Sequence, residues 1–285
     1  MHKPVVAFLL CLVSFTGMAQ KIKQSLLWEV TGNDLTRPSY LFGTFHLICK
    51  EDFTITPGLT NAIRRCEQFY GEIDLSTPGW QQEMTAQMVM KGNTIETLMG
   101  SADYQKAGVS FKQITGMELQ LFNTFKPFMG MSMITMFTIP CSNKIQPETE
   151  FIKIAQEQKI PVKGLETVSD QMAAIDAQPL SIQISSLKQA LFNFDSVKIA
   201  MKEMIDIYKI NDSDSLYRFI RNNLGDDVSE NALIAERNKK WIPVITKAIM
   251  DKPGFFAFGA AHLGGETGVV ELLRKRGYTL SPVSY

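Results

Sequence analysis

Two histidines lie in matching four-residue motifs near opposite ends of the chain, Gly43–His46 and Gly259–His262. Each motif follows a short apolar run, residues 40–42 and 255–258, which is typical of a buried strand that ends in a tight turn. Open α/β sheets bind ligands at the carboxyl ends of their strands. Imidazole is a common metal ligand and a near-neutral acid or base. The pair therefore predicts one site built from both chain ends, with ordinary hydrogen-bonded loop histidines as the alternative.

Glu72 is the first carboxylate that could join the histidines. Alternation over residues 69–75 predicts a strand with Tyr70, Glu72 and Asp74 on one face. An acid in a central strand needs a partner or a metal, because an unpaired buried charge is costly. A solvated position on an edge strand is the alternative.

Three further polar residues are candidates: Glu166, Arg237 and Asn238. Glu166 directly follows the predicted strand 161–165, so it lies at a strand end or caps the next helix. Arg237 and Asn238 lie on a long predicted helix. Arginine binds carboxylates through paired hydrogen bonds, although a solvated helix face would also hold it.

Two histidines with one or two carboxylates fit a catalytic metal site, which usually has three protein ligands and a position open to water. The metal lowers the pKa of water and polarises a carbonyl group. The candidate ligands are far apart in sequence, so no short motif such as HExxH supports this interpretation.

Residues 1–19 have the pattern of a signal peptide, with a basic start, an apolar stretch and small residues at 17 and 19. We therefore expect an exported protein whose mature chain spans residues 20–285, in the periplasm or outside the cell. The methionine-rich segment 128–140 is interpreted as buried helix. It is too short to cross a membrane, and no histidine or cysteine cluster accompanies it to bind copper.

The charge balance bears on nucleic acid as a partner, and the number of cysteines limits the possible disulfides. The chain has 29 basic and 29 acidic residues and no basic run, so nucleic acid is not an expected partner. Three cysteines remain after the leader, Cys49, Cys66 and Cys141. At most one pair can form, and a Cys49–Cys66 bridge is favoured because both lie in one local unit.

Strand patterns lie at both chain ends, and long helical patterns lie between them. This arrangement predicts an α/β fold with a mixed central sheet formed from both ends. The helical insertion is expected over roughly residues 80–146 and 178–250. We interpret residues 20–285 as a single domain.

Five blocks, in this order, resemble the signatures of the TraB/GumN family, and they cover nearly the whole mature chain. The blocks are Tyr40–His46, Glu72–Asp74, Gly164–Thr167, Glu236–Asn238 and Gly259–Leu263. The family includes the Tiki metalloproteases and is related to erythromycin esterases and to the haem-binding ChaN lipoproteins. The resemblance implies a pseudo-two-fold core in which the two histidine motifs face each other. The chain departs from the family at Pro147-Glu148, where many members carry an aspartate.

The resemblance also implies residue roles. His46, Glu72 and His262 would bind a divalent metal, with manganese or cobalt favoured and zinc also compatible. Arg237 and Asn238 would support catalysis. The remaining supporting residues would be Gly43, Gly259, Asp74 and Glu166.

The sequence thus predicts an exported metal-dependent hydrolase, most simply a peptidase acting on a peptide or protein. Glu72 would serve as ligand or general base, and Arg237 would steady an oxyanion or a substrate carboxylate. The alternatives are a metal-free, esterase-like hydrolase with one histidine as base, and a haem or ligand binder. The oligomeric state stays open.

Overall fold

The computed structural model describes residues 24–224 and 227–285 of the chain. The predicted leader, residues 1–19, lies outside the described residues. The strands are β1 (Leu27–Thr31), β2 (Ser39–Thr44), β3 (Ile48–Cys49), β4 (Gln68–Gly71), β5 (Lys144–Ile145), β6 (Val162–Gly164), β7 (Gly254–Gly259) and β8 (Thr279–Val283).

Six of these described strands form a mixed sheet in the order β6-β4-β7-β2-β1-β8. The four strands β6, β4, β7 and β2 run parallel, whereas β1 is antiparallel to both β2 and β8. Every residue of β2 and β7 is buried, as expected for parallel strands covered on both faces. The predicted mixed sheet with strands from both chain ends is confirmed.

Register fixes which strand ends meet. In the pair β2–β7, Thr44 lies opposite Gly259. In the pair β4–β6, Gly71 lies opposite Gly164. Aromatic stacking supports this arrangement, with ring centroids of Tyr70 and Phe256 5.0 Å apart. The four parallel strands therefore end together at one edge of the sheet.

Helices fill most of the chain between the strands, including the two predicted insertion regions. They are α1 (Pro57–Arg64), α2 (Trp80–Gln87), α3 (Ile95–Met99), α4 (Ser101–Thr115), α5 (Pro127–Thr138), α6 (Pro147–Glu157), α7 (Val168–Asp176), α8 (Leu180–Phe192), α9 (Phe194–Lys209), α10 (Ser213–Leu224), α11 (Asp227–Glu230), α12 (Glu236–Asp251) and α13 (Val269–Arg274). No helix in the described part of the chain is both long and apolar enough to span a membrane.

The inserted helices have a core of their own, separate from the sheet core. Ile134 of α5, Leu187 of α8 and Phe111 of α4 are fully buried in it. Helix α5 is only half buried, because Met136 and Phe137 are 46% and 42% exposed. The methionine-rich segment is thus a helix as predicted, but one face of it lies at the surface.

Strand β4 is shorter than its sequence pattern predicted. It ends at Gly71, so Glu72 lies just beyond the strand and the expected alternation of Glu72 with Asp74 does not hold. The chain turns here because Asp74 accepts hydrogen bonds from the backbone N–H of Ser76 (2.9 Å) and the Thr77 hydroxyl (3.0 Å). Side-chain capping of this kind stabilises a turn in competition with a strand.

The expected Cys49–Cys66 bridge is wrong, because Cys49 is bonded to Cys141 and Cys66 is free and buried. Strands β3 and β5 form a small antiparallel ladder in which Cys49 lies opposite Lys144. The ladder brings Cys141 beside Cys49. The Cys66 thiol instead donates a hydrogen bond to the Ala62 carbonyl (3.3 Å) at the end of α1.

Candidate functional site

Four candidate residues follow the four parallel strands at their shared carboxyl edge. Glu166 follows β6, Glu72 follows β4, His262 follows β7 and His46 follows β2. Because these strands are neighbours in the order β6-β4-β7-β2, residues far apart in sequence form a row in space. This is the edge at which open α/β sheets bind their ligands.

His46 is held from one side by a carboxylate. Its Nδ1–H donates to Glu148 Oε1 (2.6 Å), and the Thr44 hydroxyl donates to the same oxygen (2.6 Å). His46 Nε2 lies 3.7 Å from Glu72 Oε1. Although its side chain is 66% exposed, one edge of the ring is fixed by α6 and the other faces the row of site residues.

His262 is held by an amide and is buried. Its Nδ1–H donates to Asn238 Oδ1 (2.6 Å), and the Asn238 amide group donates to the Thr267 carbonyl (2.9 Å). The ring packs on Trp241, with centroids 4.5 Å apart. His262 Nε2 lies 3.9 Å from Glu72 Oε1, so both motifs direct Nε2 toward one carboxylate oxygen.

Arg237 joins the two glutamates of the row. Its guanidinium donates to Glu72 Oε2 (2.5 Å) and to Glu166 Oε1 (2.6 Å), and its Nη1 donates to the Leu233 carbonyl and to His262 Nε2 (3.3 Å). With Nε also bound to Glu166, every N–H of Arg237 has a partner. The arginine therefore serves to fix neighbouring groups, and its hydrogen bonds are already used.

Burial and neighbouring charges shift the pKa values of His46 and His262 in opposite directions. Desolvation lowers the pKa of His46, but the negative charges of Glu148 and Glu72 outweigh it and raise the pKa to about 9. Burial lowers the pKa of His262, and the positive charge of Arg237 lowers it further, to about 3. Without a bound metal, His46 is an imidazolium at neutral pH and His262 is a neutral acceptor.

The pKa values of Glu72 and Glu166 are shifted in opposite directions. Burial works to raise the pKa of Glu72, but the Arg237 guanidinium and the two histidines hold it well below its usual range. Burial raises the pKa of Glu166, and the Arg237 guanidinium opposes that rise only in part. Glu72 is thus the permanently charged carboxylate of the row, and its Oε1 also accepts the Gly259 N–H (2.8 Å).

Both motif glycines lie where other atoms approach the backbone closely. A Cβ on Gly43 would lie 2.8 Å from Ala260 Cα, whereas a Cβ on Gly259 would lie 3.1 Å from His46 Nε2 and 3.3 Å from Glu72 Oε1. The first glycine lets two backbones meet. The second keeps the space between the site side chains open.

The structure brings most of the predicted site residues together, but Asp74 makes its hydrogen bonds in the turn beyond the site. Three residues that contact the site were not among the predicted site residues: Glu148, Trp241 and Gln171. Gln171 donates to Glu72 Oε2 (3.1 Å), and the Trp241 indole N–H donates to Glu166 Oε2 (2.9 Å). The position of Glu148, where the family pattern has an aspartate, was the one available indication of its role.

The types of donor atom present suit a divalent metal. Each histidine uses Nδ1–H to bind an orienting partner and directs Nε2 toward Glu72, an arrangement common around protein-bound metals. Nε2 of His262 also accepts a hydrogen bond from Arg237 (3.3 Å), which a metal would have to displace. Within residues 24–224 and 227–285, three ligand atoms lie within 4.8 Å of one another only at Cys49, Glu51 and Cys141, whose cysteines form the disulfide.

The two histidine nitrogens therefore lie more than 4.8 Å apart, although each is near Glu72 Oε1. Ligands of a tetrahedral ion with bonds near 2 Å lie about 3.3 Å apart, so binding of a tetrahedral ion would require the two nitrogens to approach each other by at least about 1.5 Å. The exposed ring of His46 has the space to move.

Comparison with known proteins agrees with the blocks identified in the sequence. The model of the TraB/PrgY/gumN family matches residues 26–282. Metalloprotease TIKI2 of Danio rerio is 23% identical over 92% of this chain and 61% of its own length. Metalloprotease TIKI1 of Homo sapiens is 22% identical over 89% of this chain and 61% of its own length. The chain thus spans about three fifths of these relatives. No solved structure matches the chain.

Proposed function

The chain belongs to the TraB/PrgY/gumN family, and from that premise we propose that it is an exported, metal-dependent hydrolase that cleaves peptide bonds. The proposed metal ligands are His46, Glu72 and His262. The observation that carries the proposal is the convergence of both Nε2 atoms on Glu72 Oε1, at 3.7 and 3.9 Å, with both Nδ1 atoms engaged elsewhere. The metalloprotease relatives support a protein or peptide substrate.

When bound, a divalent metal supplies Lewis-acid activation of water and of a carbonyl group. Manganese or cobalt is the proposed ion, and the mixed nitrogen and oxygen ligand set also suits zinc. Glu148 and Asn238 hold the two imidazoles in the tautomer that has Nε2 unprotonated once the His46 proton is released. Metal binding therefore competes with the proton on His46.

Glu72 is better suited to be a ligand than a general base. Its pKa lies well below the usual range, and an efficient general base has a pKa near the working pH. Arg237 is proposed to position Glu72 and Glu166, since all of its N–H groups already have partners.

The structure weighs against both alternatives. A metal-free hydrolase needs a histidine base with a pKa near the working pH, whereas the pKa of His46 is raised to about 9 and that of His262 is lowered to about 3. Haem ligation by both histidines needs two accessible rings, and the side chain of His262 is 5% exposed. Export is supported by the Cys49–Cys141 disulfide, because such bonds persist in oxidising compartments.

Peptide hydrolysis measured with and without a chelator tests the proposal. We expect chelation to abolish activity, added Mn²⁺ or Co²⁺ to restore it, and His46→Ala or His262→Ala to lower the rate by about 100-fold or more. Lys202→Met, at an exposed position on α9, is the matched control and keeps full activity. Equal hydrolysis with and without chelator would show that the metal mechanism is wrong.

A further inference from the structure

The Cys49–Cys141 disulfide joins two segments that each lead directly to the histidine site. Cys49 is three positions after His46, and Cys141 is seven positions before Glu148. His46 and Glu148 are themselves in contact, since Nδ1–H of the histidine donates to Oε1 of the glutamate (2.6 Å). The disulfide therefore links the segment that carries a candidate ligand to the segment that carries its orienting carboxylate.

Between the disulfide and this hydrogen bond, the two segments pair as strands β3 and β5. They form a separate two-stranded antiparallel sheet in which Ile48 lies opposite Ile145. The same register continued by two positions places His46 opposite Pro147, next to Glu148. Proline has no N–H to donate, so the backbone pairing gives way to the side-chain contact. The disulfide and the His46–Glu148 hydrogen bond thus lie at opposite ends of one short two-strand unit.

Backbone pairing alone holds this unit weakly. Each strand has two residues, and an isolated two-stranded ladder is at best marginally stable in water. The β5 side lies near the surface, because Lys144 and Ile145 are half-buried and Ser142 and Asn143 are exposed. The disulfide therefore supplies a covalent constraint on a side of the unit where burial contributes little.

His46 lies in a short segment that is fixed at both ends. Thr44, before it, ends β2 and is paired with Gly259 in the large sheet. Cys49, after it, is bonded to the start of the β5 segment. Fixing both ends of a segment that carries a ligand lowers the conformational entropy that binding must remove. Breaking the disulfide would leave one of these ends held by noncovalent contacts alone.

We propose that Cys49 and Cys141 are positioning residues for His46, and that the chain reaches its full metal affinity only after their disulfide has formed in an oxidising compartment. The identity of the metal site rests on the proposed function, whereas the link between the disulfide and the His46–Glu148 contact does not. Because the cytosol keeps thiols reduced, the chain would bind metal more weakly before export than after it.

Reduction of the disulfide by a dithiol proceeds through two exchange steps. Cys141 is half-buried and Cys49 is 1% exposed, so a thiolate of the reductant attacks Cys141 Sγ. The S–S bond breaks, and its electron pair leaves on Cys49 Sγ, which takes up a proton. The second thiolate of the reductant then displaces Cys141 Sγ, which is protonated in turn. The chain gains two electrons and two protons, and the reductant becomes a cyclic disulfide.

Mn²⁺ titration and hydrogen exchange of the metal-free chain test the proposal in the double variant Cys49→Ala/Cys141→Ala. We expect the dissociation constant for Mn²⁺ to rise about tenfold or more, as on loss of a group that orients a metal ligand. The backbone amides of residues 45–49 should lose protection from exchange, whereas those of β7 should keep it. Cys66→Ala is the matched control, since it removes the free thiol, keeps the disulfide and should change neither measurement.

The unaltered chain provides a second route should the double variant fail to fold. It is reduced with dithiothreitol and freed of the reductant under anaerobic conditions before titration, and it should show the same two changes. Mn²⁺ is a suitable probe because it prefers oxygen ligands to thiolates. The reduced chain would otherwise offer a competing group at Cys49, Glu51 and Cys141, whose ligand atoms lie within 4.8 Å of one another.

A disulfide that only stabilises the fold gives a different result. The bond spans 92 positions, so its loss would then reduce protection in β7 as well and leave the Mn²⁺ affinity of the folded molecules unchanged. That outcome would overturn the proposal. Absence of Mn²⁺ binding in the unaltered chain would instead overturn the proposed metal site. In that case, loss of protection confined to residues 45–49 on reduction would leave the positioning of His46 standing, and unchanged protection there would overturn it.

Discussion

The two Gly-x-x-His motifs have the same spacing and the same place at the sheet edge, yet their histidines lie in opposite environments. His46 is 66% exposed and bound to the carboxylate of Glu148, whereas His262 is 5% exposed and bound to the amide of Asn238. The pKa of His46 is raised to about 9, and that of His262 is lowered to about 3. The motif fixes where an imidazole lies, and the neighbouring helices fix its charge.

This difference indicates a division of labour within one site. The half around His262 is a buried, hydrogen-bonded network with Arg237, Trp241 and Glu166. The half around His46 is open to solvent on one side. The proposed metal would therefore meet a buried set of groups on one side and an exposed histidine on the other.

The largest expected effect comes from breaking the buried half. Arg237→Met leaves the carboxylates of Glu72 and Glu166, 8% and 5% exposed, without their cation. Removing one member of a buried ion pair costs about 3–5 kcal/mol. Urea denaturation should show a loss of this size, against at most about 1 kcal/mol for Arg37→Met, whose pair with Glu67 is exposed. Equal losses in both variants would show that the buried ion pairs of Arg237 stabilise the fold no more than an exposed pair does.

A matched pair of glycine substitutions separates folding from ligand binding. Gly43→Ala places a methyl group 2.8 Å from Ala260 Cα, so we expect destabilisation of about 1–3 kcal/mol. Gly259→Ala places its methyl 3.1 Å from His46 Nε2, so it should weaken metal binding and hydrolysis with a smaller loss of stability. Thermal unfolding and metal titration of both variants test this, and the reverse pattern would contradict it.

The pH dependence of stability should differ in sign between the halves. His46 gains proton affinity on folding, so its contribution is present below pH 6.5 and is lost as pH rises through about 9. His262 loses proton affinity on folding, so stability falls as pH drops from 6.5 toward 3. Without metal, His46→Gln should flatten the alkaline limb of the stability profile and His262→Gln the acidic limb. Swapped limbs would show that the two environments are wrongly assigned.

Much of this arrangement was predictable because it is local in sequence. Apolar runs ending in glycine placed β2 and β7 and the histidines behind them, and the crossover around β6 placed Glu166. The sheet edge follows from those strands, since parallel neighbours share a carboxyl edge. The predicted strand β4 extended beyond its actual end at Gly71, because hydrogen bonds to Asp74 stabilise a turn where the sequence still alternates.

Other features depend on contacts between distant elements. Glu148 lies 102 positions from His46, and its position in the first turn of α6, next to Pro147, is ordinary for a glutamate at a helix start. Trp241 occupies an apolar position on α12 that is typical of core packing. The disulfide between Cys49 and Cys141 depends on the pairing of β3 with β5. Each of these strands has only two residues, too few to give a recognisable strand pattern in the sequence.

Both motifs are proposed to bind one ion in spite of their different surroundings. Anomalous diffraction from crystals grown with Mn²⁺ would locate that ion. We expect a single strong peak at the carboxyl edge of the sheet, bonded to Nε2 of His46, Nε2 of His262 and Glu72, with the two Nε2 atoms brought to within 4.8 Å of each other. A peak that contacts only one histidine, or no peak at this edge under saturating Mn²⁺, would contradict it.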